Sequence, residues 1–290
     1  MPVRDGMRNY KNVRKFLYSS LSKAQQEIVS PWLRRHRSKL FQGYVIAALV
    51  IFALLAFFAN TTPLMGLDLE FTRELQSETP LWFGSLLQAV SWPGYVIQAM
   101  VMIAIVMIAL GIIGLRWEAV TVLFASVFSG ALNSLVKVAI RRPRPSTDLV
   151  DVVQELNSFS FPSGHVMFYV TFFGLLLFLT FILLRHSWTR TLLSLLLTAM
   201  IILVGPSRMY VGEHWASDVV GGYLLGSLTL ILVIQFYHKG KAQFQEDQTP
   251  ELDESEPDLH IRDEAHMFRT PIPLTSKKDA DHEHHSDRPE

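Results

Sequence analysis

Ser207-Arg208-Met209-Tyr210-Val211-Gly212-Glu213-His214-Trp215-Ala216-Ser217-Asp218 puts an arginine, a histidine and an aspartate at the mouth of an apolar run that continues to Phe236. Charge is costly in such a place. His214 and Asp218 are four apart, so a helix that begins near Trp215 puts them on one face. A carboxylate there accepts the imidazole Nδ1–H, fixes the tautomer and leaves Nε2 bare as a nucleophile or base. Arg208 adds a permanently charged planar fork matched to phosphate. Taken alone, the pair also reads as an interfacial histidine and aspartate that only satisfy one another. The remaining chain bears on the choice.

The run from Trp215 to Phe236 is the last of six apolar spans. The others cover roughly Tyr44 to Phe58, Tyr95 to Leu115, Ala119 to Ile140, His165 to Leu184 and Leu192 to Val204, the last short but extendable at either end. Half of the 290 residues are hydrophobic and the mean hydropathy is +0.26. These runs predict an all-α fold, a bundle of six transmembrane helices. Between the first two spans Asp68, Glu70, Arg73, Glu74 and Glu78 read as a polar loop, followed by an amphipathic stretch around Leu81 to Val90. The chain has no cysteine, which excludes disulfides, thiolate catalysis and thiolate metal sites.

Lys+Arg and Asp+Glu balance at 26 each, but they are unevenly placed. Residues 1–40 are basic, with only Asp5 and Glu27 against them, and Val13, Phe16, Leu17, Leu21, Ala24 and Ile28 recur at helical spacing. This segment is expected to be a basic amphipathic helix on the inner leaflet, not a cleavable signal peptide. Residues 41–237 form the membrane domain. Residues 238–290 are acidic and carry Pro250, Pro257, Pro271 and Pro273, so they read as a disordered cytoplasmic tail. His282, His284 and His285 in that tail read as an incidental cluster. No nucleic-acid partner is expected, and composition leaves the oligomeric state open.

The N-terminal arm, Arg116, Arg185 and Arg190 fall on one side of the spans, which makes that side cytoplasmic and places both termini there. Arg141, Arg142 and Arg144 fall in an outward loop and break the pattern. Charge misplaced in this way at a helix end points to a task other than topology.

Two further stretches share that outward side. Lys137 ends the third span, and Val138-Ala139-Ile140-Arg141-Arg142-Pro143-Arg144-Pro145 follows it. Pro162-Ser163-Gly164-His165 opens the fourth. Ser163 is a natural N-cap, Gly164 lets backbone approach a ligand, and free N–H groups at a helix start favour an anion. Lys137 by itself also reads as a lysine snorkelling to the interface. In the order Lys-x₆-Arg-Pro, Pro-Ser-Gly-His, Ser-Arg-x₅-His-x₃-Asp, the three stretches resemble the type 2 phosphatidic acid phosphatase (PAP2) superfamily over roughly Asp68 to Tyr237.

The resemblance implies that Lys137, Arg144 and Arg208 hold phosphoryl oxygens, with Ser163 and the Gly164 backbone completing the cradle. It implies that His214 attacks phosphorus, that Asp218 orients it, and that His165 protonates the leaving oxygen. It also implies chemistry without a metal or other cofactor, in keeping with three cations and no carboxylate cluster. The expected function is hydrolysis of a membrane lipid phosphate: phosphatidic acid, phosphatidylglycerol phosphate or a polyprenyl diphosphate. The expected place is the outer face of the plasma membrane, the inner membrane of a bacterium. Transfer of the phosphoryl group to an alcohol, or lipid binding without catalysis, are the alternative readings. Family members often carry proline where Ala216 stands, and Pro206 is less usual; both leave open the local helix geometry. Arg141 and Arg142 lie outside the signature and read as facing lipid headgroups.

Overall fold

The computed structural model describes residues 31–62 and 66–246. Residues 1–30 of the basic segment expected over 1–40, and the tail beyond Glu246 with its histidines, lie outside the described residues. Among the described residues eight α-helices follow in order: α1 (Pro31–Thr61), α2 (Gly66–Glu78), α3 (Leu81–Ser91), α4 (Val96–Ile112), α5 (Arg116–Ile140), α6 (Gly164–Leu183), α7 (Trp188–Tyr210) and α8 (Ala216–Glu246). A single tight turn at Trp92–Gly94 joins α3 to α4. No strand occurs among the described residues, and the fold is all-α.

Five of these helices, α1, α5, α6, α7 and α8, are long and apolar enough to cross a membrane. The helix α4 alone has 17 residues, at the short limit for a bilayer. Joined to α3 through the turn, it makes a sixth candidate span bent by 65°. Pro93 and the extended backbone of Tyr95 put the break there. The bend matters because it turns the end of α3 toward the end of α7, where Ser91 meets Ser207 and Arg208.

The helix α6 is apolar all round, and such a helix belongs in a core rather than at a surface. Its Val166, Met167, Tyr169, Val170, Phe172, Phe173 and Leu175 are buried. All of these but Met167 pack in one cluster with Val122 and Ala125 of α5, Val204 of α7, and Val219 and Val233 of α8. The helix α4 has no buried residue, so in a bilayer its Val96, Ile97, Ile105 and Ile112 face acyl chains.

The stretch read as a polar loop is the helix α2. Asp68 and Thr72 are buried and two further side chains bind neighbouring segments, while Glu70, Glu74 and Glu78 stay exposed. Arg73 Nε donates to the Leu149 carbonyl at 2.9 Å, and Gln76 Nε2 donates to the carbonyls of Asp151 and Tyr210 at 2.8 and 2.9 Å. The Asp151 N–H returns a bond of 3.1 Å to Gln76 Oε1. Asp68, in the first turn where the helix dipole favours a carboxylate, is buried. Under this brace Gly212 turns with φ +68°, and a Cβ on it would fall 2.0 Å from the Asp151 carbonyl oxygen.

The fifth span is longer than its apolar run, extending from Trp188 to Tyr210 with Pro206 inside it. Proline removes the N–H that would bind the Ile202 carbonyl. The Tyr223 hydroxyl of α8 donates there instead, 3.0 Å from the Ile202 oxygen and 2.8 Å from that of Ile201. It also accepts from the Gly205 N–H at 3.2 Å. The helix therefore continues through Ser207 and Arg208.

At the opposite end, α8 continues past 237 into what read as tail. Lys241 Nζ lies 2.6 Å from Glu118 Oε1, and the Tyr237 hydroxyl donates to the same oxygen at 3.0 Å. Glu118 is buried, and Trp117 Nε1 donates to the Tyr237 carbonyl at 3.1 Å. A buried carboxylate that loses its cation is destabilising, less so here because the Lys241 side chain is 29 % exposed. Lys241→Ala is expected to cost about 1–3 kcal/mol, and the double variant Glu118→Gln/Lys241→Ala to regain most of it. Thermal unfolding in detergent measures both; equal losses in the single and double variants would contradict the pairing.

Candidate active site

The three sequence stretches meet at one end of the bundle. Lys137 lies in the last turn of α5, Arg144 in the loop that follows, Ser163 to His165 at the start of α6, Arg208 in the last turn of α7, and Asp218 in the first turn of α8. His214 sits on the short connection between α7 and α8 and is 1 % exposed.

His214 Nε2 lies 3.3 Å from Arg144 Nη1. A guanidinium only donates, so this assigns Nε2 as the bare, accepting nitrogen and puts the proton on Nδ1. Nδ1 faces the Ser160 hydroxyl at 3.4 Å and Asp218 Oδ2 at 3.5 Å. The second distance is an ion-pair separation at the outer limit for a hydrogen bond. Ser160, whose hydroxyl donates to Asp218 Oδ2, shares that position. The N–H groups of Glu213 and His214 both reach the Arg208 carbonyl, at 3.2 and 3.3 Å.

Asp218 is fixed from several directions. Its Oδ1 accepts from Arg142 Nη1 at 2.6 Å, its Oδ2 from the Trp215 N–H at 2.9 Å, and its carbonyl from the Ser163 N–H at 3.0 Å. The bond to Trp215 is the return half of a capping box, made from the third residue of α8. Asp68 of α2 caps the next free amide, accepting from the Ser217 N–H at 2.8 Å. Arg142 bridges the two aspartates, with Nη2 2.6 Å from Asp68 Oδ2. It is wholly buried and does not face headgroups.

The cations have distinct partners. Lys137 Nζ donates to the carbonyls of Phe159 and Ser160. Arg144 donates to the Ser158 carbonyl and hydroxyl at 2.9 and 3.0 Å and to the Glu213 carbonyl at 2.6 Å. Arg208 donates to Ser91 Oγ at 2.7 Å, ion-pairs with Glu213, and lies 5.5 Å from the Tyr95 ring centroid. That Tyr95 ring meets His165 edge-on at 5.0 Å between centroids. Gly94 leaves room for this contact, since a Cβ there would fall 2.2 Å from His165 Cδ2.

Ser163 takes the N-cap position with φ −65° and ψ 115°, yet its side chain makes no capping bond. Its hydroxyl, His165 Nε2 and Arg208 Nε are buried polar atoms without a protein partner. Buried groups are nearly always paired, and an unpaired set in one place fits a ligand rich in acceptors. Gly164 opens α6 beside Asn133, whose amide donates to the Pro162 carbonyl at 3.3 Å. Among the described residues no group of three or more His, Asp or Glu side chains is placed to hold a metal.

Burial, and then the charges of Arg144, Lys137 and Arg208, hold the His214 imidazole well below its ordinary pKa. Burial also lowers the Arg144 guanidinium, against the pull of Asp218.

Residues 118–242 match the model of the PAP2 superfamily. That stretch is thereby identified as a PAP2 superfamily domain. The chain is 28 % identical over 202 residues to phosphatidylglycerophosphatase B of Bacillus subtilis, covering 68 % of this chain and 96 % of that protein. It is 30 % identical over 126 residues to the undecaprenyl-diphosphatase of Sulfolobus acidocaldarius, covering 42 % and 56 %. The crystal structure of the PAP2-type phosphatidylglycerolphosphate phosphatase from Bacillus subtilis superposes with a TM-score of 0.60 at 26 % identity, covering 67 % of this chain and 96 % of that one. The enzyme class is that of the phosphoric ester hydrolases.

Several residues of this PAP2 site were not assigned to it from the sequence: Asp68, Ser91, Tyr95, Arg142, Ser160 and Glu213. Only Arg142 left a signal, an arginine out of place in an outward loop, and its task is to hold Asp218. Glu213 stands beside His214 but carries no spacing that marks it.

The electrostatics give a direct test. A depressed imidazole pKa keeps the ring neutral to lower pH, so His214 is expected to remain neutral at pH 6, where an ordinary histidine is mostly charged. Arg144→Ala removes a repelling cation and should move the titration upward. Nitrogen-15 NMR of the histidine rings reads both; a His214 that titrates near pH 6.5 in the native protein contradicts the arrangement.

Proposed function

We propose that this PAP2 protein hydrolyses a membrane lipid phosphate through a phosphohistidine on His214. One observation carries the reading: Nε2 of a buried imidazole is bare beside the Arg144 guanidinium, while Nδ1 is held between Ser160 and Asp218. That is the state a nitrogen nucleophile needs. Lys137, Arg144 and Arg208 surround the position with charge that a pentacoordinate phosphorus would gain from, and Ser163 with the Gly164 backbone adds neutral donors.

In the first step Nε2 bonds to phosphorus, the ester P–O bond breaks, and His165 gives its proton to the departing oxygen. In the second, water attacks the phosphohistidine, its proton returns to His165, and the N–P bond breaks to release phosphate. Asp218 stabilises the imidazolium that exists between these steps.

The substrate is a phosphate whose tail stays in the bilayer. The site lies at the ends of apolar helices, and the relatives compared above are named for lipid phosphates. The loop charges favour the outer face of the plasma membrane for the site and the cytoplasm for residues 1–40 and 238–290. Cysteines placed singly at Ser146 and Ser276 test the sidedness. An impermeant maleimide applied to intact cells should label the first and spare the second, and the reverse pattern would overturn the orientation.

The roles of the two histidines separate by leaving group. A general acid contributes about 10²–10⁴-fold, and only while the departing oxygen needs a proton. A lipid alkoxide needs one; p-nitrophenolate scarcely does. His165→Ala should therefore fail on a lipid phosphate and recover much of its relative rate on p-nitrophenyl phosphate. His214→Ala should be inactive on both. Equal defects of His165→Ala on the two substrates would remove it as the acid, and rescue of His214→Ala would reverse the assignment.

A further inference from the structure

The cations around the phosphoryl position are not equally free. Lys137 and Arg144 bond to neutral groups, the carbonyls of residues 158–160 and 213 and the Ser158 hydroxyl. Arg208 is different, because it carries the Glu213 carboxylate. Glu213 is 1 % exposed, and its second oxygen accepts from the Tyr95 hydroxyl at 2.9 Å. Tyr95 lies against both Arg208 and His165, with its ring centroid 5.0 Å from that of His165. A buried negative charge thus stands behind Arg208 and Tyr95, on the His165 side of the site. On the reading above, that is the side where the leaving oxygen departs.

The two classes of lipid phosphate differ most on that side. A phosphomonoester places a neutral ester carbon chain there. A diphosphate places a second phosphoryl group there, with at least one more negative charge. The buried network holds the cations Lys137, Arg142, Arg144 and Arg208 against the carboxylates Asp68, Asp218 and Glu213. These charges sum to one positive, which a phosphomonoester dianion already exceeds. A further anionic group has no unpaired cation waiting for it on the His165 side, and it meets the field of Glu213. In a water-poor site such a mismatch weighs more than it does in solution.

We propose that Glu213 is a specificity-determining residue, its buried carboxylate on Arg208 beside His165 setting the site for lipid phosphomonoesters against lipid diphosphates. The proposal rests on the phosphatase reading. A purely structural role, in which Glu213 only aims Arg208, predicts a different result: its loss would slow both substrate classes alike.

The test compares the purified full chain with its Glu213→Gln and Glu213→Asp variants on a short-chain phosphatidic acid and on farnesyl diphosphate. Hydrolysis of p-nitrophenyl phosphate reports whether the chemistry is intact. The native protein should favour phosphatidic acid in kcat/KM. Glu213→Gln keeps an acceptor for Tyr95 but removes the charge, and it should move the ratio toward the diphosphate by about tenfold or more. Glu213→Asp should keep the native ratio. A native preference for farnesyl diphosphate, or an unchanged ratio in Glu213→Gln, overturns the proposal. Should Glu213→Gln not fold, the native protein still decides. An alkyl monophosphonate should inhibit p-nitrophenyl phosphate hydrolysis better than an alkyl methylenediphosphonate, and the opposite order refutes the proposal. Failure of the native protein to release phosphate from any of these substrates would instead overturn the phosphatase reading, and this proposal with it.

Discussion

The carboxylate of Asp218 is where the separate parts of the site become one structure. It accepts from Arg142 on the loop after α5, from Ser160 on the approach to α6, and from the Trp215 amide at its own helix start. Its backbone carbonyl accepts from Ser163. These bonds join the three stretches of chain that carry the proposed phosphate ligands and the two histidines. A carboxylate buried without such partners would not stay charged. Here the Arg142 guanidinium compensates it, and Asp68 in turn takes the other half of that guanidinium. The orientation of His214 is thereby tied to a helix outside residues 118–242, and α2 is part of the working site, not a connector.

The same dependence accounts for the division of labour among the cations. Arg142 serves the carboxylates and holds position, while Lys137, Arg144 and Arg208 remain near His214. Collecting this much positive charge in a buried place is unfavourable by itself. Backbone carbonyls, Ser158, Ser91 and Glu213 offset it by accepting hydrogen bonds. On the proposed reading a phosphate oxygen supplies more acceptor than these groups do, so that a site costly in isolation becomes favourable when occupied. Burial, together with the repulsion left over, disfavours the charged form of the His214 imidazole.

The helical spans and the three motifs were legible in the sequence because both are local. Apolar runs of bilayer length, and residues at fixed short spacing such as His214 and Asp218, keep their meaning without tertiary information. What escaped was set by distant contact. Arg142 and Asp68 are 74 residues apart, and nothing near either one announces the pairing. The segment around Asp68 is polar, so it resembled a loop; its helix is held by bonds from Arg73 and Gln76 to other loops. Ser163 misled in the opposite way. Its position is that of an N-cap, but its hydroxyl is kept from the helix and remains unpaired. The length of α7 was hidden by Pro206, whose effect is cancelled by Tyr223 from another helix.

The central claim is that His214 becomes phosphorylated. Incubating the purified protein with a radiolabelled lipid phosphate, quenching within the turnover time and mapping the labelled peptide tests it directly. The account predicts a label that is acid-labile and alkali-stable, located on His214, and stronger in His165→Ala when p-nitrophenyl phosphate is the donor. Steady turnover with no trapped label, or a label on His165 or Ser163, would contradict it.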